Sequence, residues 1–390
     1  MTIMKGKLNL FIMLGLILGI LGGLFFPEVM NHTSFLGNVY INLLKFMIIP
    51  IIFTTIMVTI YKTKKENNKM IIKALVTFIT MFVATFLLTT IIVLLFNIGN
   101  YNYIIEAGEA EIISLNAGEI ITNLFPDNII TMIANNSVFA CIILALCSGI
   151  AASKVDHGKN VIDFVTGLKN ISNKLLEWIM YLTPIGVFSL VGVATANYGS
   201  AIIGLAAKYI GIAYLSSILT LFFIMILPVW AFNKISPIEY IKRMWKLWIL
   251  TTSTCSSLAT LPETIKTSKE EFKISEKNAD LLVPVGCTIH KCGGAVSFAI
   301  LSIFCCKLFG IEITLTAYFL MLAGAILINM AAPGIPSGGI VLGATYLSML
   351  NIPLIFIGIY SGIYRLLDMS YTTLNVTGNV TANILINKEK

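Results

Sequence analysis

Apolar residues run along this chain in long blocks, not in the two-residue alternation of a strand or the one-sided stripe of a surface helix. Six blocks, near residues 8–26, 39–61, 70–96, 137–152, 175–193 and 202–232, approach the roughly 20 apolar residues that a helix needs to cross a bilayer. Two more follow near 281–308 and 352–386. The pattern predicts an all-α integral membrane protein with eight transmembrane helices.

Two segments depart from it. Residues 238–277 carry Lys242, Arg243 and Lys246, a short apolar run, the polar tip Thr251-Thr252-Ser253-Thr254-Cys255-Ser256-Ser257-Leu258-Ala259-Thr260-Leu261-Pro262, and then Lys266, Lys269 and Lys273. Basic residues at both ends put both ends in the cytoplasm, so the segment enters the membrane and turns back. Irregular backbone at membrane depth persists only where protein or a water-lined cavity satisfies it, so this tip predicts a polar cavity. A second apolar segment, 316–350, is interrupted by Ala332-Pro333-Gly334-Ile335-Pro336-Ser337-Gly338-Gly339, whose prolines and glycines end a helix. The span before it exits outward, so this hairpin is expected to enter from outside. Two broken segments from opposite faces are the pattern of an inverted-repeat secondary transporter with its site near the midplane. The bland alternative is a pair of kinked spanning helices.

Composition supports lipid as the main solvent: 57% of residues are hydrophobic, 12% are charged and the mean hydropathy is +0.90. The net charge of +7 does not point to nucleic acid, because the basic residues cluster in short loops beside apolar helices. Lys5 and Lys7, then Lys62, Lys64, Lys65, Lys69 and Lys73, then Lys154 and Lys159, lie on the side opposite to the acidic loop with Glu106, Glu109 and Glu111. Both termini are therefore expected in the cytoplasm. The Ile-, Lys- and Asn-rich composition suits an AT-rich bacterium, which makes its inner membrane the expected location. The first block follows two lysines as a signal peptide would, yet its length and the lack of a small-residue cleavage site read as a retained helix. The seven cysteines lack the paired spacing of a metal or redox site, and no cofactor is expected.

Ionisable groups at membrane depth are costly and usually functional. His290 and Lys291 lie in the run Thr288-Ile289-His290-Lys291-Cys292-Gly293-Gly294. In the last block, Arg365, Asp368, Thr372, Asn375 and Asn379 fall within one arc of roughly 80°, with Tyr364 and Tyr371 just beside it and Thr373 and Thr377 pointing elsewhere. A stripe of this kind is expected to face the protein interior, as a binding surface or as an internal Arg365 to Asp368 ion pair.

A Ser-rich tip ending in Thr-Leu-Pro, a broken helix, a Gly-Ile-Pro tip and a final Asp368-Met369-x-x-Thr372-x-x-Asn375-Val376-Thr377-Gly378 resemble the glutamate transporter homologues, the dicarboxylate/amino acid:cation symporter family. Leu182-Thr183-Pro184-Ile185-Gly186-Val187-Phe188 is similar to that family's fifth helix. The resemblance implies eight spans, two re-entrant hairpins and an elevator mechanism in a homotrimer. The scaffold would be mainly residues 1–69 and 130–232, and the transport domain mainly 70–100 and 237–390 of a single membrane chain. It also implies that Asp368 receives a substrate α-amino group and that Asn375 holds the α-carboxylate, with Thr372 between them. Ser256 and Ser257 match the first hairpin's serines, and Gly334, Ile335 and Pro336 match the second hairpin's gate.

The departures from that pattern are chemical. Tyr371 stands where the family carries an arginine that grips a side-chain carboxylate, and a phenol cannot neutralise that charge. Neutral amino acids or cystine are therefore favoured over glutamate and aspartate. The family's Asn-Met-Asp-Gly-Thr is here His290, Lys291, Cys292, Gly293 and Gly294. Asn379 replaces a sodium-ligand aspartate, and Tyr364 another carboxylate, while Gly286 and Thr288 still match. Sodium prefers hard oxygen ligands, so sodium independence is expected, with Lys291, aided by Arg365, supplying the cation's charge. Proton coupling through His290, whose ordinary pKa is near 6.5, is the natural extension. An uncoupled carrier, an exchanger or a purely structural His290 stays open. So does a dicarboxylate or acidic amino acid as substrate. A membrane enzyme lacks a visible nucleophile and base, a channel lacks a pore-lining ring, and a transporter-like sensor is left as a further alternative.

Overall fold

The computed structural model describes residues 2–65, 69–96, 128–134, 137–199, 201–330 and 338–387, and every long element among them is helical. The first half contains α1 (Thr2–Phe25), α2 (Pro27–His32), α3 (Ser34–Phe46), α4 (Ile48–Lys65) and α5 (Lys69–Leu95). After α6 (Ile129–Ala134) come α7 (Val138–Ala152), α8 (Gly158–Met180), α9 (Thr183–Tyr198) and α10 (Ala201–Thr220). The last of these continues through a π-helical turn, Leu221–Ile226, into α11 (Leu227–Asn233). Pro228 explains that turn: it has no N–H to give, and the Leu227 N–H reaches back to the Phe222 carbonyl. The second half contains α12 (Pro237–Thr254), α13 (Leu261–Glu270), α14 (Glu276–Ile289), α15 (Cys292–Leu308), α16 (Leu315–Met330), α17 (Gly338–Met349) and α18 (Ile357–Ile386).

Among the described residues, Pro27–Lys62, Ile72–Leu95, Ile202–Asn233 and Glu276–Leu308 are each long and apolar enough to cross a membrane. Gly158–Met180 and Thr183–Asn197 make a fifth candidate, bent by 53°. This corrects the expected straight span at 175–193, which lies across the bend. Pro184 sits in the first turn of α9, where it has no N–H to give the Met180 carbonyl four residues back and its ring crowds that carbonyl, so α8 stops at Met180. The expected acidic loop and the second hairpin tip, Gly334, Ile335 and Pro336, lie outside the described residues.

Burial separates interior from periphery. The apolar 18-residue stretch of Glu276–Leu308 is 94% buried within the protein, whereas that of Ile202–Asn233 is only 33% buried. The latter keeps Ile218, Phe222 and Phe223 outward, as a lipid-facing helix would. Helix α18 runs through the centre, packed against α9, α10, α12, α14 and α15.

The first polar tip separates two helices. Arms α12 and α13 flank a break at 255–260 that opens with Cys255 in left-handed conformation, φ 49°. Helix α12 is held antiparallel to α18 by three side-chain rungs. Tyr240 Oη meets Thr381 Oγ1 at 2.7 Å, Trp248 Nε1 donates to Thr377 Oγ1 at 2.8 Å, and Thr251 Oγ1 meets Thr373 Oγ1 at 2.9 Å. Most tip hydroxyls turn back on their own helix: Ser253 donates to the Ile249 carbonyl and Thr254 to that of Leu250. This is how such residues satisfy themselves without water.

Candidate functional site: a cavity around a broken helix

Between α14 and α15 the backbone of His290 and Lys291 is extended, with φ, ψ of −88°, 118° and −146°, 79°. A helix break strands carbonyls on one side and amides on the other, and at membrane depth the protein must satisfy them. Side chains close to the break do so. Lys291 Nζ donates to the Cys287 carbonyl at 3.0 Å, and Asn329 Nδ2 to that of Ile289 at 3.2 Å. On the amide side, the Gly293 N–H donates to Asn375 Oδ1 at 2.9 Å. Gly293 packs so closely on the Tyr371 carbonyl that a Cβ would collide with it, which locks the start of α15 onto α18.

A cavity opens at this junction. The first hairpin contributes Cys255 and Ser257; the break and α15 contribute Lys291, Gly293, Gly294, Ser297 and Phe298. Asn329 from α16 and Gly338, Gly339 and Leu342 from α17 face it, and α18 supplies Tyr364, Asp368, Tyr371, Thr372 and Asn375. Ser257, Lys291, Asp368, Tyr371, Thr372 and Asn375, all singled out in the sequence, thus meet in one place.

The others stand elsewhere. Ser256 Oγ accepts the Ala259 N–H at 3.2 Å and shapes the tip turn. His290 turns away from the cavity, its ring stacked on Phe78 at 4.8 Å and its Nε2 3.4 Å from Cys292 Sγ. Asn379 Nδ2 donates to the Val283 carbonyl at 2.8 Å, its oxygen pressed against Gly286 and bonded to Asn383 Nδ2 at 3.1 Å. Thr288 bonds back to the Val285 carbonyl at 2.8 Å. Arg365 departs most from the expected inward stripe. Its Nη2 reaches the Ser253 carbonyl at 3.0 Å, at the end of α12, because the long side chain leaves the helix face at an angle a wheel does not show. The true lining stripe on α18 is rotated toward Tyr364 and Tyr371.

Tyr364, Asn329, Ser297 and Cys255 line the cavity without having been counted as site residues. Asn329 had a readable signal, being a lone amide in an apolar run just before the Pro-Gly break. Tyr364 lies one turn before Asp368, and its hydroxyl rests on Gly339 at the start of α17.

The charges are complementary. The Lys291 ammonium lies within the field of the Asp368 carboxylate, which also accepts a 3.0 Å hydrogen bond from Thr372 Oγ1. The Gly293 N–H can only donate, so its partner must be the Asn375 oxygen, which leaves the Asn375 NH2 as the donor to a ligand. The site offers a cation and amide donors for a carboxylate and an anion for an ammonium. Among the described residues, no three His, Cys, Asp or Glu side chains converge as metal ligands would.

The profile of the sodium:dicarboxylate symporter family matches residues 8–389. The chain is 26% identical to the proton/glutamate-aspartate symporter of Bacillus subtilis (strain 168), over 99% of this chain and 95% of that protein. It is 24% identical to the C4-dicarboxylate transport protein of the same organism, over 98% and 94%. A shorter match, 25% identical, links it to neutral amino acid transporter A of Homo sapiens, over 64% of this chain and 47% of that protein. The chain belongs to the sodium:dicarboxylate symporter family, a family of membrane transporters and not of enzymes.

Proposed function

We propose that this protein is a secondary active transporter of amino acids that works by alternating access without sodium, Lys291 supplying the positive charge that a bound cation supplies elsewhere in the family. The observation that carries this is the placement of Lys291 and Asp368 in one cavity with Thr372 and Asn375. A zwitterion matches it, with its ammonium on Asp368 and its carboxylate toward Lys291 and the Asn375 amide, all as charge-assisted hydrogen bonds. Neutral amino acids or cystine are favoured over glutamate and aspartate, because Tyr371 offers a side-chain carboxylate no neutralising charge.

Sodium independence is supported by the donors at the break, where imidazole, ammonium and thiol replace hard oxygens. A proton is the favoured coupling ion, in keeping with the Bacillus subtilis proton/glutamate-aspartate symporter among the relatives. Because His290 stacks behind the cavity, a proton there would act on the helix break and not on the substrate.

A dicarboxylate is the second reading, favoured by the Lys291 ammonium in the cavity and by the relative named for C4-dicarboxylate transport. It requires Asp368 to be protonated or paired.

Family membership supports eight spans with two re-entrant hairpins and an elevator mechanism in a homotrimer. Residues 1–69 and 130–232 would form the scaffold, and 70–100 and 237–390 the transport domain. The protein would sit in a bacterial inner membrane with both termini cytoplasmic.

The test is uptake from a labelled panel of amino acids and dicarboxylates into proteoliposomes, under an inward sodium or an inward proton gradient at matched membrane potential. Proton-driven, sodium-indifferent uptake of a neutral amino acid is expected. Strictly sodium-driven uptake would mean that the altered motif still builds a cation site.

A further inference from the structure

We infer that Lys62 and Lys169 form a headgroup site for an anionic phospholipid, in the groove between the end of α4 and the middle of α8. The site is separate from the cavity and does not depend on what the protein carries.

Helix α8 has three faces. Ile162, Val165, Ser172, Leu176 and Ile179 are buried, at the three- and four-residue spacing of an inward stripe. Val161, Phe164, Leu168, Ile171 and Trp178 form a second apolar stripe, and this one is exposed. Lys159, Asp163, Asn170, Lys174 and Glu177 fall within an arc of about 60° on the remaining side. A helix of this kind lies along a membrane interface, with its charged face to water and its apolar faces to protein and acyl chains. The 53° bend between α8 and α9 suits that placement, α9 crossing the bilayer while α8 follows its surface.

Lys169 breaks the inward stripe. It takes the position between Val165 and Ser172, half-buried on the side of α8 that packs on α4, and it lies within the field of Lys62 near the end of α4. Two like charges in a groove repel, and partial burial lessens the screening between them. Among the described residues neither lysine forms an ion pair. Lys174 has taken Glu177 at 2.8 Å, and Asp163 lies about 120° round the helix from Lys169. An anion held between the two ammonium groups turns one repulsion into two attractions. At headgroup depth the abundant anion is a phosphodiester, and this basic flank, with Lys64 and Lys65 next in sequence, is the one expected at the cytoplasmic leaflet. Lysine stems reach that depth while their methylenes stay on apolar neighbours.

The test adds phosphatidylglycerol, phosphatidylcholine or inorganic phosphate to the purified full-length protein in a neutral detergent. Thermal unfolding reads stability, and native mass spectrometry reads bound lipid. Phosphatidylglycerol is expected to stay bound and to raise the unfolding temperature, and the other two are not. Lys169→Met is expected to weaken phosphatidylglycerol binding by about 5- to 10-fold, yet to leave the lipid-free protein at least as stable as wild type, because one of two repelling charges is gone. Lys62→Met, at the exposed lysine, is expected to do the same, and Lys174→Met, at the paired lysine, to leave binding unchanged. A lipid-free protein destabilised by both Lys62→Met and Lys169→Met, with phosphatidylglycerol still bound, overturns the inference and makes the lysines structural. Equal stabilisation by phosphatidylcholine, or none by phosphatidylglycerol, also overturns it. An equal effect of inorganic phosphate assigns the groove to a soluble anion, and an altered oligomeric state with lipid binding unchanged assigns it to a second copy of the chain; either result rejects the lipid.

Discussion

Lys291 is the residue on which the chemistry turns. Its Nζ caps a stranded carbonyl and shares the cavity with Asp368, and in the proposed function it also meets the ligand. Removing it leaves the Cys287 carbonyl and the substrate carboxylate without their cation. Lys291→Met is expected to weaken sodium-free substrate affinity by about 10- to 100-fold, the range of a charged hydrogen bond, as read by binding calorimetry. Unchanged affinity would reject the role. Tyr371→Arg is expected to shift preference toward aspartate, since a guanidinium grips a side-chain carboxylate in bidentate fashion, and competition assays check this. If neutral substrates remain preferred, Tyr371 is not the selectivity position. These residues were legible for different reasons. Asp368 and Lys291 stood out as charges in apolar runs, whereas Tyr371 drew notice only through the family pattern it breaks. The direction of His290, behind the cavity, was not in the sequence, because no helical period operates inside a break.

At the scale of elements, the broken helix and the first hairpin are held in the same way: carbonyls stranded at the break and most tip hydroxyls have protein partners. Asn329→Ala would leave the Ile289 carbonyl unsatisfied, at a cost of about 1–3 kcal/mol in thermal unfolding of the detergent-solubilised protein. Trp248→Phe removes one rung between α12 and α18 and is expected to cost about 0.5–1.5 kcal/mol, with earlier proteolysis at the hairpin tip. No change in either measurement would show that those bonds do not hold the elements. Basic flanks and a Ser/Thr tip made this hairpin readable from sequence. The bend between α8 and α9 was not readable from apolar blocks, because a hydropathy window averages across Pro184 and sees only continuity.

In the whole molecule, a broken helix whose second half is buried and a central polar-striped helix are enclosed by helices that turn apolar faces outward. This places a charged cavity in the protein interior, away from lipid, where an ammonium and a carboxylate act with little screening. In the proposed function the Lys291 ammonium then takes the place of a bound cation. The most direct test is equilibrium binding of the amino acid identified by the uptake panel to purified wild-type protein, in choline chloride and in sodium chloride at equal ionic strength. The same affinity in both salts is the expected result, because the positive charge belongs to the chain. Binding that appears only with sodium would contradict it.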